Sequence, residues 1–304
     1  MRISTNTIFE SGTSRLGDLQ SDLMKLQQQL STGRRILSPS DDPVAAARAL
    51  EITQAQSVNT QFANNRQTVK SQLSITESTL SNISDLLTSV QSTLVSAGNG
   101  TYSDTQRGFL AAELRGNLDE LVGLANTSDG AGNRLFSGYQ TKTAPYAQTA
   151  TGAQYNGDQG QRMVQISASR QMAVSETGDN IFQANGQDVF KTMTDLINLL
   201  QTPVTTPAAS AALSAGLATA STGLQSAADA VLTVRAAMGS RLKELDALDV
   251  SGQDRDIQYA QALSGYQSLD YTKAISQLSQ QQMTLEAAQK SFARVVGLSL
   301  FNLI

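Results

Sequence analysis

The order of apolar and polar positions divides the chain into helical ends and a differently patterned middle. Leu16, Leu19, Leu23, Leu26 and Leu30 recur at alternating steps of three and four, the spacing of a helix that buries a narrow two-heptad seam. Gly33 predicts the end of that helix, because glycine accepts the left-handed conformation of a C-terminal cap. Asp42 before Pro43 predicts an N-cap with proline at the first helical position of a second helix. No Pro or Gly interrupts this helix before Gly98, and Phe62, Val69, Leu73, Leu80, Ile83, Leu87, Val90 and Leu94 hold a mostly seven-residue rhythm. From Pro43 to Ala97 the helix spans roughly 80 Å at the standard rise, a length that belongs to coiled coils and long bundles. Asn99-Gly100 breaks the pattern, Asp104 is expected to cap a third helix, and Leu110, Leu114, Leu118, Leu121 and Leu124 form its stripe.

From Asp129 to Phe182 the chain is rich in Gly, Thr, Gln and Tyr, with short alternating runs such as Met163-Val164-Gln165-Ile166-Ser167. Asn156-Gly157 and Asp158–Gly160 supply turn residues, so this stretch predicts β-hairpins. A helix is expected at about Asp188–Gln201, a break at Pro203 and Pro207, and a long helix from Ala208 to Leu248 that stops at Ser251-Gly252. The last helix is expected from Gln253 to Val296. Along it Ile275, Leu278, Leu285, Ala288, Phe292 and Val295 lie at heptad spacings, followed by an apolar end with Leu298, Leu300, Phe301, Leu303 and Ile304.

The predicted fold class is mainly α with a β-rich insert: an elongated helical bundle or coiled coil built from N- and C-terminal segments around a central β-hairpin domain. The expected divisions are terminal helical segments 1–42 plus 253–304, a long-helix bundle 43–128 plus 208–252, and an outward-facing insert 129–207. A narrow seam cannot be covered by one surface helix, so the two ends are expected to pair with each other.

Composition narrows the chemistry. None of the 304 residues is His or Cys, which excludes a Cys/His zinc site, an imidazole base, a thiol nucleophile and a disulfide framework. A net charge of −4 and a pI near 4.9 argue against nucleic acid as a partner. The 31 Gln and 34 Ser give a polar, weakly charged surface that raises little repulsion between copies. The start Met1–Thr7 lacks the apolar core of a cleaved signal peptide. The charge-free run Leu196–Ala228 is broken by Pro203 and Pro207 and rich in Ser and Thr, so no membrane span is expected.

Asp41-Asp42 could be a carboxylate pair for acid/base or metal chemistry, but next to Pro43 helix capping explains it better. Arg34-Arg35 fits a solvated loop or an ion pair. Gly152–Gly160 lacks the Lys-Ser/Thr ending and following helix of a phosphate loop. No Gly-x-Ser-x-Gly elbow is present, and without His the usual Ser-His-Asp mechanism is closed. No catalytic, cofactor-binding or metal-binding residue is predicted.

Three stretches carry a resemblance to the flagellin family, and within it to the hook-associated adaptor type of the hook–filament junction. They are Leu30-Ser31-Thr32-Gly33-Arg34-Arg35 with Ser38-Pro39-Ser40-Asp41-Asp42-Pro43-Val44-Ala45-Ala46-Ala47, then Asn133–Tyr139 with Tyr155-Asn156-Gly157-Asp158, and the two ends, Met1–Thr5 and Ser299–Ile304. Filament subunits typically have Asp-Asp-Ala-Ala-Gly without this pair of prolines, and more often end in a Leu-Leu-Arg type tail. The region from about Phe182 to Gly223 resembles nothing in the family.

The resemblance implies a non-enzymatic component of the flagellum joining the hook-associated layer to the filament. It implies export through the flagellum-specific type III route without a cleaved signal peptide, to an extracellular place at the hook–filament junction. The implied partners are copies of the chain in a ring, a neighbouring hook-associated protein, flagellin, and a cytoplasmic export chaperone on the C-terminal segment. The terminal segments would be disordered in the free monomer and order on assembly. The expected polymerisation residues are Leu16, Leu19, Leu23, Leu26, Leu30, Ile275, Leu278, Leu285, Phe292, Val295, Leu300 and Phe301. Two other readings remain open at this point, a filament flagellin subunit and a coiled-coil scaffold with no flagellar role.

Overall fold

The computed structural model describes residues 5–301, with side chains for all of these except Thr5, Asn6, Ile8, Asn185 and 296–301. In order the elements are α1 (Thr5–Thr32), α2 (Pro43–Ala97), α3 (Asp104–Ala125), β1 (Tyr146–Thr149), β2 (Gly152–Tyr155), β3 (Met163–Ser167), β4 (Arg170–Ala173), α4 (Gly178–Phe182), a 3₁₀ turn (Ala184–Gly186), α5 (Val189–Gln201), α6 (Pro207–Gln267) and α7 (Tyr271–Phe301). The mainly helical class with a central pair of hairpins is as the periodicity predicts. Contacts divide the chain into two compact units, Asn59–Gly252 and Met1–Val58 with Gln253–Ile304.

In the unit 59–252 the seven-residue rhythm of α2 becomes a buried face. Leu80, Ile83, Leu87, Val90 and Leu94 pack with Leu114, Leu118 and Leu121 of α3 and with Leu224, Val231 and Met238 of α6. The 13-residue α5 buries Val189, Phe190, Met193, Leu196, Ile197 and Leu200 in the same core, a wide apolar stripe for so short a helix. Around it sits an aromatic cluster. Phe190 lies 4.7 Å from Tyr146 and 5.4 Å from Phe182 between ring centres, and Phe182 meets Phe136 edge-on at 5.8 Å. These separations suit attractive tilted and edge-to-face ring pairs. Burial, with Asp179 nearby, pushes the Tyr155 hydroxyl pKa up to about 12.

The two hairpins are separate two-stranded sheets, β1 with β2 and β3 with β4. Tyr146 opposes Tyr155 and Thr149 opposes Gly152 in the first, and a bulge lies between Gln165 and Ser167 in the second. Ile166, Met172 and Val174 of the second hairpin pack on Val69 and Leu73 of α2 and Leu245 of α6. Arg66 fixes this junction: its Nε donates to Asp249 Oδ1 and its Nη1 to the Ile166 carbonyl, 3.2 Å away.

Three local expectations change. The long helix does not stop at Ser251-Gly252. α6 runs on to Gln267, and the chain breaks at Ser268–Asp270 before α7 starts at Tyr271. Gly252 is a contact position: a Cβ there would sit 2.6 Å from Arg66 Nη2. A single helical glycine costs only about 1 kcal/mol, which packing against Arg66 offsets. The third helix is capped by Ser103, through a capping box with Gln106, while Asp104 is the first helical residue and pairs with Arg107. The Asn156–Gly160 stretch joins the hairpins and forms the apex of neither. There Asp158 accepts hydrogen bonds from the backbone N–H groups of Tyr139, Gln140 and Gly160, which hold its carboxyl below the usual range, Tyr139 contributing most.

Candidate assembly surface

The unit formed by the two ends is built on α1 packed against α7. The pair is antiparallel. Phe292 lies against Gly12 and Phe9, and Tyr271 lies against Gly33 at the opposite end. On α1 the leucine seam faces inward: Leu26 is buried and Leu16, Leu19, Leu23 and Leu30 are half-buried. On α7 the inward positions are Ala274, Leu278, Gln281, Leu285, Ala288 and Phe292, at alternating steps of four and three.

The expected assembly residues therefore fall into three groups. Leu16, Leu19, Leu23, Leu26, Leu30, Leu278, Leu285 and Phe292 lie on the seam within the chain. Ile275 and Val295 point to solvent, 54% and 48% exposed, with Phe9, Met24 and Met283 also exposed. The Leu300 and Phe301 side chains lie outside the described residues, as do Leu303 and Ile304 entirely. At the start of α7 Asp270 Oδ1 accepts from the Lys273 N–H at 3.1 Å, a helix cap. Sequence spacing missed Gly12, Tyr271 and Gln281. Extending each seam by one more turn, four residues before Leu16 and before Leu278, reaches Gly12 and Ala274, which is the signal that finds the inward face.

The α1–α2 connection and the α6–α7 break are clasped together. The Arg35 N–H donates to the Gln267 carbonyl at 2.8 Å, and the Leu269 N–H donates to the Gly33 carbonyl at 3.0 Å. The Arg35 guanidinium reaches the Tyr266 carbonyl at 3.0 Å and Asp42 at 3.2 Å. Gly33, at a φ of 68°, makes the left-handed turn that ends α1. Asp42 caps α2 by accepting from the Ala45 N–H. That bond, followed by Arg35, lowers its carboxyl pKa. Asp41 pins the connection by accepting from the Leu37 and Ser38 N–H groups and pairing with Lys25 Nζ at 2.7 Å. Lys25 first, then those backbone donors, hold it well below the carboxylate range. Both acidic residues thus act on backbone geometry, and nothing here resembles an acid/base pair. Among the described residues no three His, Cys, Asp or Glu converge as a metal site, and no helix is long and apolar enough to cross a membrane.

The pattern of the bacterial flagellin N-terminal helical region matches residues 3–141. The flagellar hook-associated protein 3 of Escherichia coli is 36% identical over all of this chain and 99% of its own length. That of Salmonella typhimurium is 37% identical over the same shares. A phase 1 flagellin of Salmonella naestved is 30% identical, but over only 44% of this chain and 27% of its own length. Among solved structures, a putative flagellar hook-associated protein from Vibrio parahaemolyticus aligns at a TM-score of 0.69 with 24% identity, covering 75% of this chain and all of that one. The flagellar junction protein FlgL from Legionella pneumophila aligns at 0.64 with 22% identity, covering 73% and 100%. These two likenesses establish the shared fold.

Long α-helices from both chain ends, flanking a pair of hairpins, define a flagellin-type chain. Within that class, end-to-end similarity decides the branch: the chain belongs to the family of flagellar hook-associated protein 3.

Proposed function

We infer that this chain is a structural component of the bacterial flagellum, the adaptor that joins the hook-associated layer to the filament at the hook–filament junction. The observation that carries the reading is similarity along the whole chain to hook-associated protein 3, against similarity to flagellin over less than half of it. Pro39 and Pro43, beside the capping aspartates, support the adaptor over the filament subunit. The role is geometric and needs no catalysis. In this reading copies of the chain form a ring, with terminal helices inward and hairpins outward, between a neighbouring hook-associated protein and flagellin. The exposed Ile275 and Val295, and the apolar end through Leu300 and Phe301, are the proposed contacts with neighbours. Export by the flagellar type III route, with a cytoplasmic chaperone holding the C-terminal segment, belongs to the same proposal.

Deletion of the gene in its source bacterium tests the reading, with electron microscopy of cells and assay of the medium for flagellin. Bare hooks with abundant shed flagellin are expected. Loss of filaments with no shed flagellin would make this chain the filament subunit. Intact swimming cells would refute both.

A further inference from the structure

A leucine seam with a seven-residue repeat does not define its own register. Sliding α1 by one heptad along α7 carries Leu16 to the place of Leu23, Leu19 to that of Leu26 and Leu23 to that of Leu30, so apolar contacts are largely kept. Something else must select the native alignment. One aromatic ring lies over Gly12, and the hydroxyl tip of another side chain reaches Gly33. A Cβ on Gly12 would fall 2.6 Å from Phe292 Cδ2, and one on Gly33 would fall 2.8 Å from the Tyr271 hydroxyl. At position 12 the Phe292 ring therefore occupies space that only glycine leaves open, while Tyr271, 52% exposed, reaches Gly33 through its hydroxyl, at a glycine that the left-handed turn also requires. The spacing matches on both helices: Gly12 and Gly33 are 21 residues apart, and so are Tyr271 and Phe292. Both rings therefore find their glycines in one register. Slipped one heptad, Phe292 meets Leu19 in one direction and Tyr271 meets Leu26 in the other.

We propose that Phe292 on Gly12 and Tyr271 over Gly33 are the positioning residues that select the register in which the two chain ends pair. Gln281 adds to the selection: it stands at an inward position with its Oε1 buried and without a hydrogen-bond partner, and slipping by one heptad moves it to where Ala274 or Ala288 packs. A polar seam residue that costs stability while limiting alternatives is a known device in paired helices. The inference is independent of the flagellar role.

The chain contains no cysteine, so introduced pairs report alignment in the purified full-length protein. Leu16→Cys with Ala288→Cys reads the native register. Leu16→Cys with Gln281→Cys, or with Val295→Cys, reads a slip of one heptad in either direction. With the aromatic pegs intact, oxidation is expected to link only 16 with 288. In Phe292→Leu/Tyr271→Leu, which keeps apolar contacts, the slipped links should rise about tenfold relative to the native one, the ratio given by losing an aromatic contact. A merely structural role would weaken every link without creating slipped ones. Gly12→Leu should suppress the native link, and Phe292→Ala added to it should restore that link. An unchanged pattern after removal of both pegs, or no 16–288 link in the parent, overturns the proposal.

Discussion

Replacing both Leu23 and Leu26 by Asp discriminates between the two units of the chain. Leu26 is buried, 7% exposed, and Leu23 half-buried, both on the α1 face that meets α7. Full burial of a leucine contributes about 1.5–3 kcal/mol, and a half-buried one roughly half as much. A carboxylate in the same place adds a desolvation cost unless it turns to water. The carboxylate introduced by Leu26→Asp would also stand one turn from Asp22, a like-charge pair that costs a further few tenths of a kcal/mol. The total, on the order of 4–5 kcal/mol, weakens α1–α7 pairing by roughly a thousandfold. The unit 59–252 contains neither residue, so its thermal transition, followed by circular dichroism, should be unchanged. The assay is complementation of a deletion strain, scoring swimming and attached filaments by electron microscopy. Abolished attachment with an unchanged melting transition is expected. Normal swimming would refute the view that this seam is needed for assembly.

Three further outcomes test the energetics. Phe190→Ala removes a fully buried ring that contacts Tyr146 and Phe182 and should destabilise the unit 59–252 by about 3–5 kcal/mol, read as a lower melting temperature; a change below about 1 kcal/mol would count against a tightly packed aromatic cluster. Asp249→Ala strands the Arg66 guanidinium, whose side chain is 4% exposed, and should cost about 3–5 kcal/mol, whereas Arg66→Met with Asp249→Leu should restore much of the loss in urea unfolding. Asp41, whose folded pKa is depressed, contributes stability fully present above its unfolded value of about 3.9 and lost as pH falls through the folded one. The Leu37 and Ser38 amide shifts in an NMR titration should therefore have their midpoint below that of an ordinary Asp, and Asp41→Asn should abolish the titration; a midpoint at or above about 3.9 would refute it.

What can be read from the sequence follows from how local each signal is. The leucine spacing of the first helix, the Asp42-Pro43 start of the second and the alternation in Met163–Ser167 are set by neighbours within a turn or a strand, and each became the expected element. Gly252 looks like a helix stop in the sequence because its reason lies 186 positions away, in the Arg66 side chain packed against it. Ile275 carries a correct heptad relation to Leu278 and Phe292 yet faces solvent. Which of two overlapping stripes points inward depends on how α7 packs against α1, a contact between segments far apart in the sequence. The short α4 and the 3₁₀ turn carry no periodic signal, and the turn residues at 156–160 became a connection organised by Asp158.

The two units also differ in how much each helix buries, and this bears on where the ends find their stability. α5 buries six side chains within 13 residues, whereas among the described side chains α1 buries only Leu26 and α7 only Ala274. A helix is held chiefly by tertiary packing of its apolar face, since its propensity alone is marginal in water. By that measure α5 is sufficiently packed within its own unit, and α1 and α7 are not. Each ordered residue still costs backbone entropy, so apolar surface from outside the chain would add to the pair's stability. Ile275, Val295, Phe9, Met24 and Met283, exposed on this pair, are the positions that could supply it. In the proposed ring that surface is covered by neighbouring copies, so the pair, marginal in the free chain, would be stabilised where neighbours are already in place. Such stabilisation would be greatest at the site of assembly, and free chains would have little tendency to polymerise.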